Sequence, residues 1–241
     1  MARLAQIAVY FWAGVAILTA PASARDLTIV IQRLTDGTEF YMTAPSETII
    51  EAFAASESIV PHKNGYVDFD AFFSGTWDIG DEILSKATTQ IGADSASFEA
   101  MSFMLHPNDA VLPLETRLDG MIAIGVCNAI EPGALYGMND LHAYVGYYSS
   151  VPSHQTSIDI TLPRSSVSRL SVKVFDIAAS GYTSTYTITA EPGDTIHLPE
   201  PKTAQTSFWF PILGAAVSLA VSMFVAIWTG KPATLARGEP V

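Results

Sequence analysis

YTSTYTITA, residues 182–190, places Tyr182, Tyr186 and Ile188 on one side and threonines on the other. SIDITL, residues 157–162, alternates in the same way, with Ile158 and Ile160 on its apolar side. A period of two is typical of a strand whose sheet has one face on the core and one in water. These stretches predict an antiparallel sheet.

Further strand patterns surround these two. The sequence predicts them at 27–34, 38–43, 66–73, 98–106, 121–129, 141–150 and 168–178. Asp36-Gly37 predicts a hairpin between the first two, and Glu191-Pro192-Gly193-Asp194 predicts a type II turn. Short helices are predicted at 46–56, capped by Ser46, and at 77–87, capped by Thr76. The expected fold is mainly β, an immunoglobulin-like antiparallel β-sandwich with two short early helices, or an α+β fold.

The first 24 residues have the pattern of a secretory signal. Arg3 precedes an apolar run, residues 4–20, and Ala22-Ser23-Ala24 forms a small-residue cleavage site. The alternative is an uncleaved anchor, because the apolar run approaches the length of a membrane span. Both interpretations place the chain from Arg25 onward outside the cytoplasm.

A second apolar segment, residues 208–228, predicts a C-terminal transmembrane helix. Its 21 residues would rise about 30 Å, the thickness of a hydrocarbon core, with Trp209 and Trp228 at its ends. The short tail, 229–241, carries Lys231 and Arg237, which favours a cytoplasmic C-terminus. We therefore expect a single-pass protein of a bacterial cytoplasmic (inner) membrane.

Between these segments we predict a periplasmic β-rich domain, 25–197, and a linker, 198–207. LPEP, residues 198–201, followed by a span and a short tail, resembles exosortase sorting tails (PEP-CTERM). No arginine cluster directly follows the span, and the tail is longer than in those proteins. The resemblance therefore carries nothing over to this chain.

The exported part is strongly acidic. Residues 25–206 contain 23 acidic and nine basic side chains, and the whole chain has a formal net charge of −12. Such a surface repels nucleic acid and anionic lipid headgroups. Nucleic-acid binding is therefore excluded.

Small residues recur at every fourth position of the predicted span: Gly214, Ser218, Ser222 and Ala226. A small-xxx-small ridge lets two helix backbones approach closely inside a bilayer. We therefore expect the span to pair with a membrane-protein partner. The alternative is that small residues are simply frequent in such helices.

One stretch could bind a soft metal. MSFMLH, residues 101–106, supplies Met101, Met104 and His106, and thioethers with imidazole suit copper. On a regular strand Met104 and His106 share a face, whereas Met101 lies on the opposite one with Phe103 and Leu105. All three could meet only if the strand bent or bulged. The alternative is two core methionines and an edge histidine, since the other histidines are scattered singly.

Acidic side chains supply a second candidate site. Asp68 and Asp70 would share one face of the predicted strand 66–73, and Asp78, Asp81 and Glu82 cluster on the next helix. Such carboxylates could bind calcium or act as an acid–base pair in hydrolysis. The alternative is that they are solvated acids opposite a buried face formed by Val67, Phe69, Ala71 and Phe73.

No catalytic motif stands out, and the single cysteine, Cys127, is expected to be a buried apolar side chain of strand 121–129. We therefore predict a non-enzymatic, membrane-anchored periplasmic binding or accessory subunit of a membrane complex, without a cofactor. One alternative is a metal-binding or metal-delivery protein that uses Met104 and His106 for copper or Asp68 and Asp70 for calcium. Another is a membrane-anchored hydrolase that uses Asp68 and Asp70.

Overall fold

The computed structural model describes residues 25–53, 59–126, 130, 133–165, 167 and 169–201. All of them belong to the first of the two compact units of the chain. The predicted signal sequence, transmembrane span and small-residue stripe, as well as Cys127, lie outside these residues. Within the described ranges, no helix combines the length and the apolar character needed to cross a membrane.

Strands dominate the described residues, as predicted. The first half contains β1 (Arg25–Arg33), β2 (Thr38–Pro45), α1 (Ser46–Ala52), β3 (His62–Lys63), β4 (Tyr66–Val67), α2 (Phe69–Phe73), α3 (Thr76–Leu84), β5 (Thr88–Ile91), β6 (Asp94–Ala96), β7 (Glu99–Pro107) and α4 (Arg117–Gly125). The second half contains a 3₁₀ turn (Met138–Asp140), β8 (Leu141–Ser149), β9 (Ile158–Thr161), β10 (Leu170–Ile177), β11 (Thr183–Ala190) and β12 (Thr195–Leu198).

The larger sheet has six strands in the order β11-β10-β1-β2-β8-β7. Its β1–β2 hairpin confirms the Asp36-Gly37 prediction. A β-carbon on Gly37 would lie 2.6 Å from the carbonyl oxygen of Ser149, so only glycine fits between these strands. β1 pairs with β10 in parallel. The expectation of a purely antiparallel sheet is therefore wrong, because alternation within a strand does not encode the direction of its neighbour.

The smaller sheet has four strands in the order β12-β9-β5-β6. Side chains from both sheets and from α1–α3 share one hydrophobic cluster, to which the larger sheet contributes Ile29 and Val172 and the smaller sheet Ile160 and Ile196. A second, smaller cluster lies on the opposite face of the larger sheet and includes Val30 and Phe175. The larger sheet is thus covered on both faces.

The predicted strand 66–73 is mostly helical. After two residues of β4, Asp68 becomes the N-cap of α2, and its carboxylate accepts a hydrogen bond from the backbone N–H of Ala71 at 3.3 Å. Phe72 is buried, whereas Phe73 is exposed. The aromatic residues of this stretch follow helical as well as strand spacing, and the capping aspartate favours the helix.

The predicted strand 121–129 is wrong for residues 121–125, because residues 117–125 form α4, and its last three residues lie outside the described part of the chain. Thr116 and Asp119 make a capping box: each side chain accepts a hydrogen bond from the other residue's backbone N–H. An apolar run does not by itself distinguish a strand from a buried helix. The capping box upstream of the run is the signal that decides it.

Two predicted helix caps are displaced by one residue. Ser46 and Thr76 are the first helical residues of α1 and α3, which follow Pro45 and Gly75 as N-caps without a side-chain cap bond. The hydroxyl of Ser46 instead donates to the carbonyl oxygen of Met138. The serine therefore ties α1 to the 3₁₀ turn.

A buried arginine of the larger sheet pairs with an aspartate on the neighbouring strand and also binds the segments that flank the smaller sheet. Arg33, which is 0% exposed, donates from Nε and Nη2 to the two carboxylate oxygens of Asp176 at 2.7 and 3.0 Å. Its remaining N–H groups donate to the carbonyl oxygens of Ser153 (3.1 Å), Thr156 and Pro199 (2.9 Å). All five guanidinium donors are thus used, as a buried arginine requires.

Replacing Arg33 by methionine should lower the free energy of unfolding by about 3–5 kcal/mol, because Asp176 then stays buried without a counter-charge. The double variant Arg33→Met/Asp176→Leu should recover much of that loss. Arg169→Met, which removes an exposed pair with Glu191 at 3.6 Å, should cost less than about 1 kcal/mol. Urea denaturation followed by circular dichroism measures all three. Equal losses of unfolding free energy for Arg33→Met and Arg169→Met would contradict a special role for the buried arginine.

Candidate functional site

The predicted carboxylates Asp68 and Asp70 line one surface depression. It has a volume of about 640 Å³, and Tyr66, Phe73 and Leu135 form part of its wall. Asp68 is engaged as the N-cap of α2, and Asp70 lies in the first turn of that helix. The two carboxylates therefore do not project from one strand face, although both border the same space. Their roles in calcium binding or hydrolysis stay predictions.

The acids of α3 are used within the fold. Asp81 accepts a hydrogen bond from the backbone N–H of Ala100 at 3.0 Å, and Glu82 pairs with Lys86 at 3.1 Å. Gly80 lets α3 pack tightly on β7, because a β-carbon there would lie 2.7 Å from that of Ala100. Asp81 and Glu82 therefore help to fix α3 and do not join Asp68 in a site.

A β-bulge changes the predicted arrangement of the methionines on β7. The register with β8 shifts between Ala100 and Ser102. Met101 consequently packs with Ile124 of α4, and its Cε lies 3.3 Å from where a β-carbon on Gly146 would be. The prediction that Met101 lies with Phe103 and Leu105 is wrong, because those two belong to the cluster on the other face. A bulge reverses the alternation that placed Met101.

His106 lies opposite a second histidine, with which no sequence pattern associates it. His106 and His142 are directly opposed in the antiparallel β7–β8 pair, so their side chains share a face with β-carbons about 4.5–5.5 Å apart. Both rings contact the ring of Tyr144, with centroid distances of 4.9 and 5.5 Å. The singly scattered histidines of the sequence thus include one pair in space.

Hydrogen bonds orient the rings of this pair. Nε2 of His106 lies 2.8 Å from the carbonyl oxygen of Ala123, and Nδ1 is buried without a hydrogen-bond partner among the described residues. The hydroxyl of Tyr144 both donates to the carbonyl oxygen of Leu112 and accepts from its N–H, each at 2.7 Å. A carbonyl only accepts, so the proton of His106 is on Nε2 and Nδ1 carries a lone pair.

Burial controls the charge of both histidines. Burial lowers the pKa of His106, although its hydrogen bond to Ala123 partly opposes this. Burial and the neighbouring His106 lower the pKa of His142 to about 4. Both imidazoles are therefore neutral at neutral pH.

A surface cavity reaches His142, the less buried member of the pair. It has a volume of about 270 Å³, and its wall includes His142, Thr43, Leu112 and Phe175. Lys173 and Glu115 also line it and pair with each other at 3.6 Å. The imidazole of His142 is thus exposed to a small chamber beside the loop that precedes α4.

α4 is held over this face by an ion pair and a close contact. Arg117 donates from Nε and Nη2 to the carboxylate of Glu39 at 2.6 and 2.7 Å, and Tyr41 donates to the same carboxylate at 3.0 Å. A β-carbon on Gly120 would lie 2.3 Å from the Tyr41 ring, so the helix rests directly on that ring. The first turn of α4 is therefore fixed to β2.

The electrostatics of Glu39 follow from these contacts. Burial by itself raises the pKa of Glu39, but the hydrogen bonds from Arg117 and Tyr41 outweigh it and hold the pKa below its usual value. Burial and the carboxylate of Glu39 raise the pKa of Tyr41, whose proton stays on the phenol.

No known protein family matches the chain, and no curated protein is detectably similar to it. Among the described residues, no group of three or more histidine, cysteine, aspartate or glutamate side chains could hold a metal ion.

Glu39→Gln should lower the stability at pH 7 by about 1–2 kcal/mol, because a neutral amide bonds Arg117 more weakly than a carboxylate. Its pH dependence should change as well. The pKa of Glu39 in the folded protein lies below the unfolded value of about 4.5. As the pH falls through the range between these two pKa values, the unfolded chain takes up more protons than the folded protein does. The wild type therefore loses stability in that range. Denaturation curves between pH 7 and pH 3 should show a shallower acid decline for Glu39→Gln. An identical decline in both proteins would contradict this account.

Proposed function

We propose that the protein is a membrane-anchored binding subunit that holds its acidic β domain outside the cytoplasm and engages a protein partner. The observation that carries the proposal is the exposure of large apolar side chains around the depression beside Asp68. Among the residues that line it, Leu135 is 68% exposed and Tyr66 and Phe73 are 40% exposed each, and Trp77, at the start of the next helix α3, is 67% exposed. Exposed aromatic residues clustered at a concave surface are typical of binding sites and anchor residues.

The chemistry of this surface favours a partner with apolar and basic side chains. We define the aromatic depression as the concave surface lined by Tyr66, Phe73, Leu135, Asp68 and Asp70. Lys63 is also part of its wall, so two carboxylates and one ammonium face the space. The acidic excess of the exported part adds a long-range attraction for a basic partner. Trp77 lies four residues beyond Phe73, at the start of α3.

The anchoring part of the proposal rests on the sequence. Residues 1–24 direct export, residues 208–228 span the bacterial inner membrane, and residues 229–241 lie in the cytoplasm. The ridge formed by Gly214, Ser218, Ser222 and Ala226 contacts a helix of the same partner. The immunoglobulin-like class of the domain belongs to the proposal as well, and two sheets that share one hydrophobic cluster support it.

Removal of the aromatic anchors should release the partner. The full-length protein is extracted in mild detergent, and the proteins retained by wild type and by Phe73→Ser/Trp77→Ser are compared by mass spectrometry. Hot-spot aromatics contribute about 2 kcal/mol or more, so recovery of the partner should fall at least about tenfold. Tyr182→Ser, which removes an aromatic side chain that is 49% exposed near β11, is the matched control.

A contact at the aromatic depression should also be visible before extraction. A photo-crosslinking residue at position 77 should capture, in intact membranes, the same protein that is lost from Phe73→Ser/Trp77→Ser. The same residue at position 182 should not capture it. Equal capture at both positions, or equal retention by both serine variants, would refute the role of this surface.

The helix contact has its own pair of variants. Gly214→Ile/Ser218→Ile fills the small-residue ridge and should prevent close approach of a second helix, so that partner recovery falls. Leu213→Ile/Leu219→Ile changes residues on other sides of the same segment and should retain the partner. Equal recovery with both double variants would count against pairing through this ridge.

A further inference from the structure

We infer that His106 and His142, together with the thioether of Met104, form a binding site for copper(I) beneath α4. The site is independent of the aromatic depression and goes beyond the proposed function. It joins two strands that are adjacent in space, although its histidines are 36 positions apart in the chain.

The register brings the ligands to one face. His106 opposes His142, and Met104 opposes Tyr144, in the same antiparallel pair. Residues two apart on a strand share a face, and directly opposed residues do so as well. Met104, His106 and His142 therefore project into one layer between the sheet and α4.

The ring of His106 is already oriented as a metal-bound histidine is. Metal-ligating histidines commonly donate their other ring N–H to a carbonyl or carboxylate, which fixes the tautomer and the direction of the lone pair. Here Ala123 accepts from Nε2 at 2.8 Å, and the lone pair on Nδ1 is buried. His106 is 1% exposed, and Nδ1 has no hydrogen-bond partner among the described residues. A buried lone pair without a partner is costly unless something binds it.

The ligand types select the metal. Two imidazoles and a thioether form a soft, uncharged ligand set, which suits copper(I) far better than calcium or magnesium, whose ligands are oxygens. Met104 is buried, and its thioether sulfur can act as a copper(I) ligand, whereas Met101 packs against Ile124. The three residues Met104, His106 and His142 can thus complete a three-coordinate site.

The chamber lined by His142 supplies the route of entry. It reaches His142 from the side of the Lys173–Glu115 ion pair, so copper(I) can arrive at that imidazole without unfolding of the sheet. His142 would receive the ion first, with His106 and Met104 closing around it.

The test is copper(I) titration of the full-length protein in detergent, under anaerobic reducing conditions and in competition with a colorimetric copper(I) chelator. The wild type should withdraw one copper(I) per chain from the chelator. Met104→Leu and His142→Gln should each bind at least about tenfold more weakly. Met42→Leu is the matched control, because Met42 is a buried methionine of β2 that belongs to the cluster on the opposite face, and it should bind like the wild type.

X-ray absorption of the copper-loaded protein provides a readout of the ligands themselves. The wild type and Met42→Leu should show one sulfur and two nitrogen neighbours, and Met104→Leu should lack the sulfur. Thermal unfolding of the metal-free variants verifies that each is folded. If His142→Gln is unfolded, the comparison of Met104→Leu with Met42→Leu tests the copper(I) site by itself.

Three outcomes would overturn the inference: a wild-type protein that cannot compete for copper(I), a Met104→Leu variant that binds as tightly as Met42→Leu, or a preference for zinc over copper(I). If Phe73→Ser/Trp77→Ser loses the partner but still binds copper(I), the two surfaces are separate. Failure of copper(I) binding leaves the proposed partner contact unaffected.

Discussion

The buried guanidinium of Arg33, paired with Asp176 inside the larger sheet and bonded to backbone carbonyls beside the smaller one, is the constraint on which the relation of the two sheets depends. A buried guanidinium is tolerated only when all its donors are used, and here they reach β10, the loop before β9 and the segment after β12. Any slip of the smaller sheet against the larger one would leave some of these groups unpaired. The hydrogen bonds of Arg33 therefore select one arrangement of the sheets, whereas the apolar side chains between the sheets would tolerate several.

The opposite face of the larger sheet is organised by α4. Glu39 and Tyr41 of β2 fix the first turn of that helix, and Gly120 allows the helix backbone to touch the Tyr41 ring. The helix in turn supplies the carbonyl of Ala123 that orients His106. Packing and candidate chemistry are thus linked: the contacts that hold α4 also determine which nitrogen of His106 is available.

The two surfaces of interest lie on different parts of the domain and have different physical characters. The aromatic depression is exposed and shaped by short helices, so it suits contact with a macromolecule. The histidine pair is enclosed between a sheet and a helix and is reached through a small chamber, so it suits an ion. One domain can carry both, because neither uses residues of the other.

The sequence by itself determined the mainly β class, the β1–β2 hairpin and the one-sided strands β9 and β11, because periodicity and turn residues act over a few positions. The apolar run alone did not decide whether residues 121–125 form a strand or a helix, since such a run satisfies both; the Thr116–Asp119 capping box before it is the local signal for the helix. The bulge at Met101, the parallel β1–β10 pair and the meeting of His106 with His142 were decided only by tertiary structure. Each depends on which distant strands become neighbours, and Arg33 and Asp176, 143 positions apart, show how far such contacts reach.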